Sequence, residues 1–165
     1  MKKFNLLFIT CCALLTISPS SVVSRAQSTP EIPTGPHVRG AFDGRTPCQT
    51  LARQLKAQVR PECNKVKWRL ILYQDPVTHA PTTFTLSGMV YRNPPRTGKW
   101  TIRQGTKSDP HGTIYQLDPD KPEESLSLLK ADDNLLFFLD KDGNPLVGNM
   151  LFSYTLNRVD KTPQQ

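Results

Sequence analysis

The sequence predicts an all-β protein: a small antiparallel meander that closes into a barrel, with one short helix near its N-terminus. From Val66 to Leu156, apolar side chains recur every second residue in seven or eight short segments, which is the period of strands that bury one face. The segments follow one another at intervals of roughly 8–20 residues without intervening helices, as in sandwiches and barrels. Closure into a barrel removes the exposed edges that an open sheet would leave.

An export signal is predicted before this domain. Lys2 and Lys3 precede an apolar run over residues 4–17, and small residues stand at positions −3 and −1 of a cleavage site after Ala26. The run is shorter than the ~20 residues that span a bilayer. We therefore expect residues 1–26 to be removed, which leaves no transmembrane span and a periplasmic or secreted protein.

The remaining chain divides into three parts. Residues 27–37 are rich in Ser, Thr and Pro and are predicted to form a flexible leader. Residues 38–159 form the predicted barrel domain, and residues 160–165 a frayed tail. Cys11 and Cys12 lie inside the apolar run rather than after it, so a lipid-anchored form is not expected.

The charge pattern does not favour a nucleic-acid partner. The chain carries a net charge of +7, and three of its basic side chains belong to the export signal. The other basic residues are spread along strands and turns, without the alternation of aromatic and basic residues that stacks bases. We expect a solvated basic surface and no nucleic-acid binding.

One segment has a helical pattern. Leu51, Leu55 and Val59 recur every four residues, with polar residues between them. The pattern begins after Pro47 and ends at Pro61, because proline interrupts helical hydrogen bonding. The spacing predicts a helix over this stretch.

The strand predictions follow the two-residue alternation. Val66, Trp68 and Leu70 form the apolar face of the first strand, whose second face is also unusually apolar. Asn93-Pro94-Pro95 is predicted to end the second strand. Asp142-Gly143, a dipeptide that favours tight turns, is predicted to form a hairpin before the last strand. The later predicted strands cover residues 83–92, 98–104, 113–117, 125–130, 134–140 and 150–158.

Two cysteines, Cys48 and Cys63, follow the cleavage site. In an exported protein an even number of cysteines indicates a disulfide, and a bridge here would stabilise the fold by about 3 kcal/mol in the chain-entropy model. Free thiols or a metal-binding pair are the alternatives. Thiolates and thioethers favour monovalent copper, so Met89 or Met150 would complete such a site.

Catalytic residues in a recognisable arrangement are not found. The sequence has no Gly-x-Ser-x-Gly motif and no glycine-rich phosphate loop. Asp132-Asp133 and Glu123-Glu124 are predicted to be solvated turn charges. His37, His79 and His111 each lie beside turn residues and far apart in sequence. We expect no enzymatic activity and no resident cofactor, with copper as the one possible exception.

Four short motifs occur in a defined order: Thr46-Pro47-Cys48, Gly98-Lys99-Trp100, the run from Leu139 to Leu146 (LDKDGNPL), and Tyr154-Thr155-Leu156. In this order and spacing, over about residues 39–158, the chain resembles the N-terminal domain of the NlpE family. The resemblance implies a small lipocalin-like β-barrel. That family was named for copper resistance and is linked to envelope stress signalling. The resemblance therefore implies an envelope binding or stress-sensing module, whose partner is an envelope protein or a small ligand.

The chain departs from the family at two positions. The family carries a Cys-x-x-Cys motif that begins at the position of Cys48, and Leu51 stands where its second cysteine would be. The family's lipidated cysteine is replaced by Gln27. Only Cys48 transfers by position, so the alternative function, copper or soft-metal handling, would depend on Cys48 with Cys63.

Overall fold

Eight antiparallel strands close into a barrel in the part of the chain that the structure describes. The structure is a computed structural model that describes residues 31–89, 91–106 and 109–160, with only the backbone of residues 91–93. The predicted export signal, the start of the predicted leader (27–30) and most of the predicted tail (161–165) lie outside the described residues. The all-β barrel prediction is confirmed.

Each strand pairs with its neighbours in the sequence, and the last strand pairs with the first. Within the described ranges one helix, α1 (Gln49–Gln54), lies between the first two strands. None of the helices described is long and apolar enough to cross a bilayer. The strands are β1 (Val38–Thr46), β2 (Val66–Gln74), β3 (Pro81–Gly88), β4 (Tyr91–Gln104), β5 (Thr113–Leu117), β6 (Leu126–Lys130), β7 (Leu135–Phe138) and β8 (Thr155–Arg158).

The first strand, β1, was not predicted. Gly40 and Gly44 remove side chains from its alternation and lower its strand propensity. The strand forms because β2 offers a full partner, with Phe42 opposite Leu70 and Thr46 opposite Val66. Tertiary pairing therefore outweighs the weak local preference.

The predicted strand over residues 83–92 is wrong, because the chain reverses inside it. Met89 has a left-handed backbone (φ 49) that turns β3 into β4. The prediction that Asn93-Pro94-Pro95 ends a strand is also wrong, since β4 runs through these residues. Between the pairs Gly88–Tyr91 and Leu86–Arg96, β4 has more residues than β3. The prolines lie in this bulge, where the missing N–H groups cost no ladder hydrogen bonds.

The helix is shorter than predicted. It ends at Gln54, and Lys56 adopts a left-handed backbone (φ 52) that stops its continuation. Val59 therefore lies outside the helix, in the loop that leads to β2. Leu51 and Leu55 are buried as the pattern indicated, so α1 caps one end of the barrel.

The predicted hairpin at Asp142-Gly143 forms locally, with Leu139 and Pro145 in an isolated antiparallel bridge on either side of the turn, but it does not join β7 directly to β8. The Asp140 carboxylate accepts the N–H groups of Asp142 and Asn144 at 2.9 and 2.8 Å. The chain then continues for several residues before β8 begins at Thr155, later than predicted. The connection between β7 and β8 is thus a long loop over residues 139–154.

The barrel interior is filled by side chains. The ring of Trp68 lies 5.7 Å from that of Phe138, and the ring of Trp100 lies 5.0 Å from that of Tyr115. Burial of one such side chain contributes about 1.5–3 kcal/mol. The same cluster includes further inward residues of the strands, all at most 1% exposed: Phe42, Leu70, Leu72, Phe84, Leu86, Leu117, Leu126, Leu128, Leu136 and Leu156.

The two ends of the barrel differ, because an antiparallel meander places alternate connections at opposite ends. We call one end the helix end. It comprises the connections after β1, β3, β5 and β7, over residues 47–65, 89, 118–125 and 139–154. The other, the turn end, comprises residues 31–37, 75–80, 105–106, 109–112 and 131–134.

Candidate functional site

The predicted disulfide between Cys48 and Cys63 is present at the helix end, with the two Cα atoms 5.9 Å apart. Cys48 is buried in the core immediately before α1, and Cys63 is partly buried in the loop that follows. The bond therefore joins both ends of the helical segment and holds α1 over the barrel opening.

The disulfide does not fit a copper site, because neither bonded sulfur is available as a thiolate. Met89 lines a cavity of about 510 Å³ together with Cys63, whereas Met150 lies in a different loop and is 99% exposed. Among the described residues, no group of three or more His, Cys, Asp or Glu side chains converges to hold a metal. Metal binding by Cys48 and Cys63 in a reduced form stays a prediction.

The barrel closes at a seam between β1 and β8. The two strands have two registered pairs, Phe42–Arg158 and Asp43–Asn157, fewer than any other neighbouring strands in the described ranges. At Gly44 they approach so closely that a Cβ atom would stand 2.3 Å from the carbonyl oxygen of Thr155. Only glycine fits this approach, which explains the residue that weakened the strand pattern.

A groove of about 430 Å³ lies along this seam, towards the helix end. Asp43, Arg45 and Lys67, which face outwards from β1 and β2, line one side, and residues between 151 and 157 line the other. Strand alternation places the polar residues of both walls on the outside of the barrel. This seam groove is lined by Asp43, Gly44, Arg45, Lys67, Trp68, Leu151, Phe152, Ser153, Thr155 and Asn157.

The seam groove has a basic character. The Asp43 carboxylate accepts two hydrogen bonds from Arg69, Nε to Oδ1 at 2.9 Å and Nη2 to Oδ2 at 2.7 Å. The hydrogen bond that Arg69 donates to Asp43 raises the pKa of the Arg69 guanidinium above its ordinary value, although burial opposes the shift. Because Arg69 balances the charge of Asp43, the exposed Arg45 and Lys67 give the groove a net positive charge.

The rim of the groove is a loop over residues 147–152, which we call the apex loop. The Asn149 side-chain oxygen accepts the N–H groups of Leu151 and Phe152, both at 2.9 Å, and the Asn149 N–H donates to the Phe152 oxygen at 2.9 Å. At Gly148, a Cβ atom would lie 2.1 Å from the Phe152 oxygen. The loop therefore folds back on itself in one defined conformation.

The apex loop exposes apolar side chains. Val147, Met150 and Leu151 are 89%, 99% and 75% exposed, and they are three of the five exposed large apolar residues in the described part of the chain. The Lys65 amine lies 5.9 Å from the centroid of the Phe152 ring. The loop thus combines an apolar tip with a basic neighbour.

Sequence reasoning missed both the groove and the loop. It assigned Met150, Leu151 and Phe152 to the last strand, because they continue the apolar pattern of β8. The preceding Gly148-Asn149 pair is a turn-forming dipeptide that indicates a loop at this point. The seam groove has no local pattern, since its walls come from opposite ends of the domain sequence.

Carboxylates with shifted pKa values occur in turns and ion pairs. The backbone N–H groups of Thr78 and Val77 lower the pKa of Asp75. A hydrogen bond from Lys56 lowers the pKa of Glu123. Both carboxylates are solvent-exposed and lie outside the seam groove, so these shifts reflect local structure.

Comparisons of the chain with protein-family models, with curated proteins and with solved structures return no match.

Proposed function

We propose that this chain is an exported, non-enzymatic binding or stress-sensing module of the cell envelope, similar in role to the NlpE N-terminal domain that its motifs resemble. The observation that supports this best is the filled barrel. Buried rings such as Trp68, Trp100 and Phe138 occupy the interior, so the barrel acts as a rigid scaffold. Recognition then takes place on its outer surface, at the seam groove and the loops beside it.

The disulfide supports the exported location. Bonds of this kind persist in oxidising compartments and are rare in the cytosol. Cell fractionation of the full-length chain, followed by mass measurement, tests this directly. We expect a mature protein that starts at Gln27, with Cys48 and Cys63 protected from alkylation. An uncleaved cytosolic protein with both cysteines alkylated would contradict the proposal.

Outer-surface recognition is tested by cross-linking in the envelope. A photo-reactive residue at Asn157 lies in the seam groove, and the same residue at Gln104 on β4 is the matched control. Both positions are exposed. We expect defined cross-linked products from position 157 and none of the same mass from position 104. Identical products from the two positions would argue against a specific surface.

Soft-metal handling is the second candidate, because Cys63 and Met89 line one cavity. We expect the oxidised protein to bind monovalent copper weakly and the reduced protein to bind it modestly through Cys48 and Cys63. Competition against a chelator, run on both redox forms, measures this. Tight stoichiometric binding by the oxidised form would place metal handling first.

A further inference from the structure

We propose that the apex loop and the basic side chains beside it dock the barrel onto an anionic lipid surface. The inference rests on the proposed function, because it names the partner class for the same outer surface. Three observations carry it: the loop is ordered, its tip is apolar, and its flanks are basic.

The order of the loop comes first. Both ends are held to β7, since the Leu146 N–H donates to the Phe138 oxygen and the Phe138 N–H donates to the Tyr154 oxygen, each at 2.9 Å. The Asn149 side chain fixes the turn between these anchors. The chain is therefore held in a shape that keeps apolar side chains in water, an arrangement that marks interaction sites.

The shape of the tip favours a lipid surface over a protein pocket. Met150, which is 99% exposed, projects outwards from the loop, and Leu151 lies at the rim of the seam groove and is still 75% exposed. A pair of exposed apolar side chains needs no complementary cavity in a fluid bilayer, where such groups sink about 5–10 Å into the boundary between headgroups and acyl chains.

The charge around the tip complements anionic headgroups. Arg45 and Lys67 line the seam groove with Leu151 and Phe152, and Lys65 lies over the Phe152 ring. Two carboxylates are near. Arg69 balances Asp43, and Glu62 lines the neighbouring cavity with Lys65. Basic side chains at an anionic surface each strengthen binding by about fivefold.

Flotation of the mature, oxidised protein with vesicles tests the proposal. We expect binding to vesicles of phosphatidylcholine with phosphatidylglycerol, weaker binding at high salt, and little binding to phosphatidylcholine alone. M150S/L151S should lower the affinity by at least about tenfold. V77S is the matched control, because Val77 is 83% exposed at the turn end and should leave binding unchanged.

The charge contribution has its own pair of variants. R45Q/K65Q/K67Q should lower the affinity by about 100-fold, at roughly fivefold for each charge. The matched control, K99Q/R103Q, removes two exposed charges of β4 and should have a much smaller effect for each charge removed. All substituted side chains are exposed, and thermal melts establish that each variant folds.

Three results would overturn the inference: no binding to anionic vesicles, binding unaffected by the apex-loop variant, or equal losses for variants and controls. Tighter, loop-dependent binding of an acidic peptide would also overturn it, in favour of a protein partner. In each case cross-links from Asn157 remain an independent test, so failure here is distinguishable from failure of the proposed function.

Discussion

The chain reverses between strands at both the helix end and the turn end of this barrel, but the connections at the two ends differ. At the turn end, short connections are closed by aspartate side chains that accept nearby backbone N–H groups, as Asp75, Asp109 and Asp132 do. At the helix end, two long connections, over residues 47–65 and 139–154, carry α1, the disulfide and the apex loop. The turns serve the fold alone, whereas the long connections add covalent bonding and exposed apolar surface, so we place recognition at the helix end.

The largest expected difference between the ends is in the free energy of unfolding that is lost when an ion pair is broken. The pair at the helix end is buried. Arg96 and Asp118 are 7% and 5% exposed, and the Arg96 Nε–H donates to Asp118 at 3.0 Å. D118A removes the closest carboxylate from the buried Arg96 guanidinium and leaves among its partners the Glu124 carbonyl oxygen at 2.8 Å and the exposed Glu124 carboxylate at 3.9 Å, which we expect to cost about 3–5 kcal/mol. Chemical denaturation measures the free energy of unfolding.

The control is D160A, just after the end of β8 that lies at the turn end. The pair between Arg158 and Asp160 is 10% and 14% exposed, and Arg158 also donates to the Asp133 and Arg39 carbonyl oxygens. We expect a smaller loss there, and the double variant R96M/D118A should lose less than D118A alone. Equal losses in the free energy of unfolding for D118A and D160A would mean that the two ion pairs contribute equally to stability.

The disulfide should give the next largest effect. Its sequence separation is 15, for which the chain-entropy model gives about 3 kcal/mol. C48S/C63S should lower the free energy of unfolding by that amount and raise hydrogen exchange first in residues 47–65. Reductant should destabilise the wild type and leave the double variant unchanged. A uniform rise in exchange at both ends would show that the bond does not act locally.

A buried hydrogen bond at the helix end offers a smaller test. The Trp68 Nε1–H donates to the Thr46 hydroxyl at 2.9 Å, and both residues are buried. T46V keeps the shape but leaves the indole N–H without this acceptor, which should cost about 1–3 kcal/mol. T46S keeps the hydroxyl and should cost less. A T46V protein as stable as wild type would mean that the bond contributes little.

The smallest expected effect is a change of stability with pH. It is tested at one aspartate from each end. Burial opposes the shift at Asp140, but N–H groups of Asn144, Asp142 and Gly143 together lower its pKa. The N–H groups of Thr78 and Val77 lower the pKa of Asp75. A carboxylate with a lowered folded-state pKa contributes stability above its unfolded pKa, and this is lost as the pH falls through the folded value.

Carboxyl titration by NMR checks this prediction. We expect both aspartates to titrate below the ordinary range, and both turns to loosen in acid. D75N should abolish the acid response of the turn at residues 75–78 alone, and D140N that of the turn at residues 140–144 alone. An ordinary pKa at either residue would mean that its turn does not contribute to the pH dependence of stability.

Much of the barrel was predictable from local pattern. The alternation of Val66, Trp68 and Leu70 predicts β2 with its buried face, and β5 occupies the predicted residues. This works because a strand with one buried face needs an apolar residue at every second position, and residues close together in the sequence meet that requirement. The bonded cysteines likewise followed from their number and the expected export.

Other features depend on residues far apart in the chain. β1 forms despite Gly40 and Gly44 because β2 pairs with it, and Gly44 is required because Thr155 lies against it. The chain reverses at Met89 because β4 pairs with β3. These features arise when the barrel closes and brings its two terminal strands together, a contact between residues more than 100 positions apart. Local periodicity carries no information about such contacts, so the seam groove emerges only from the folded chain.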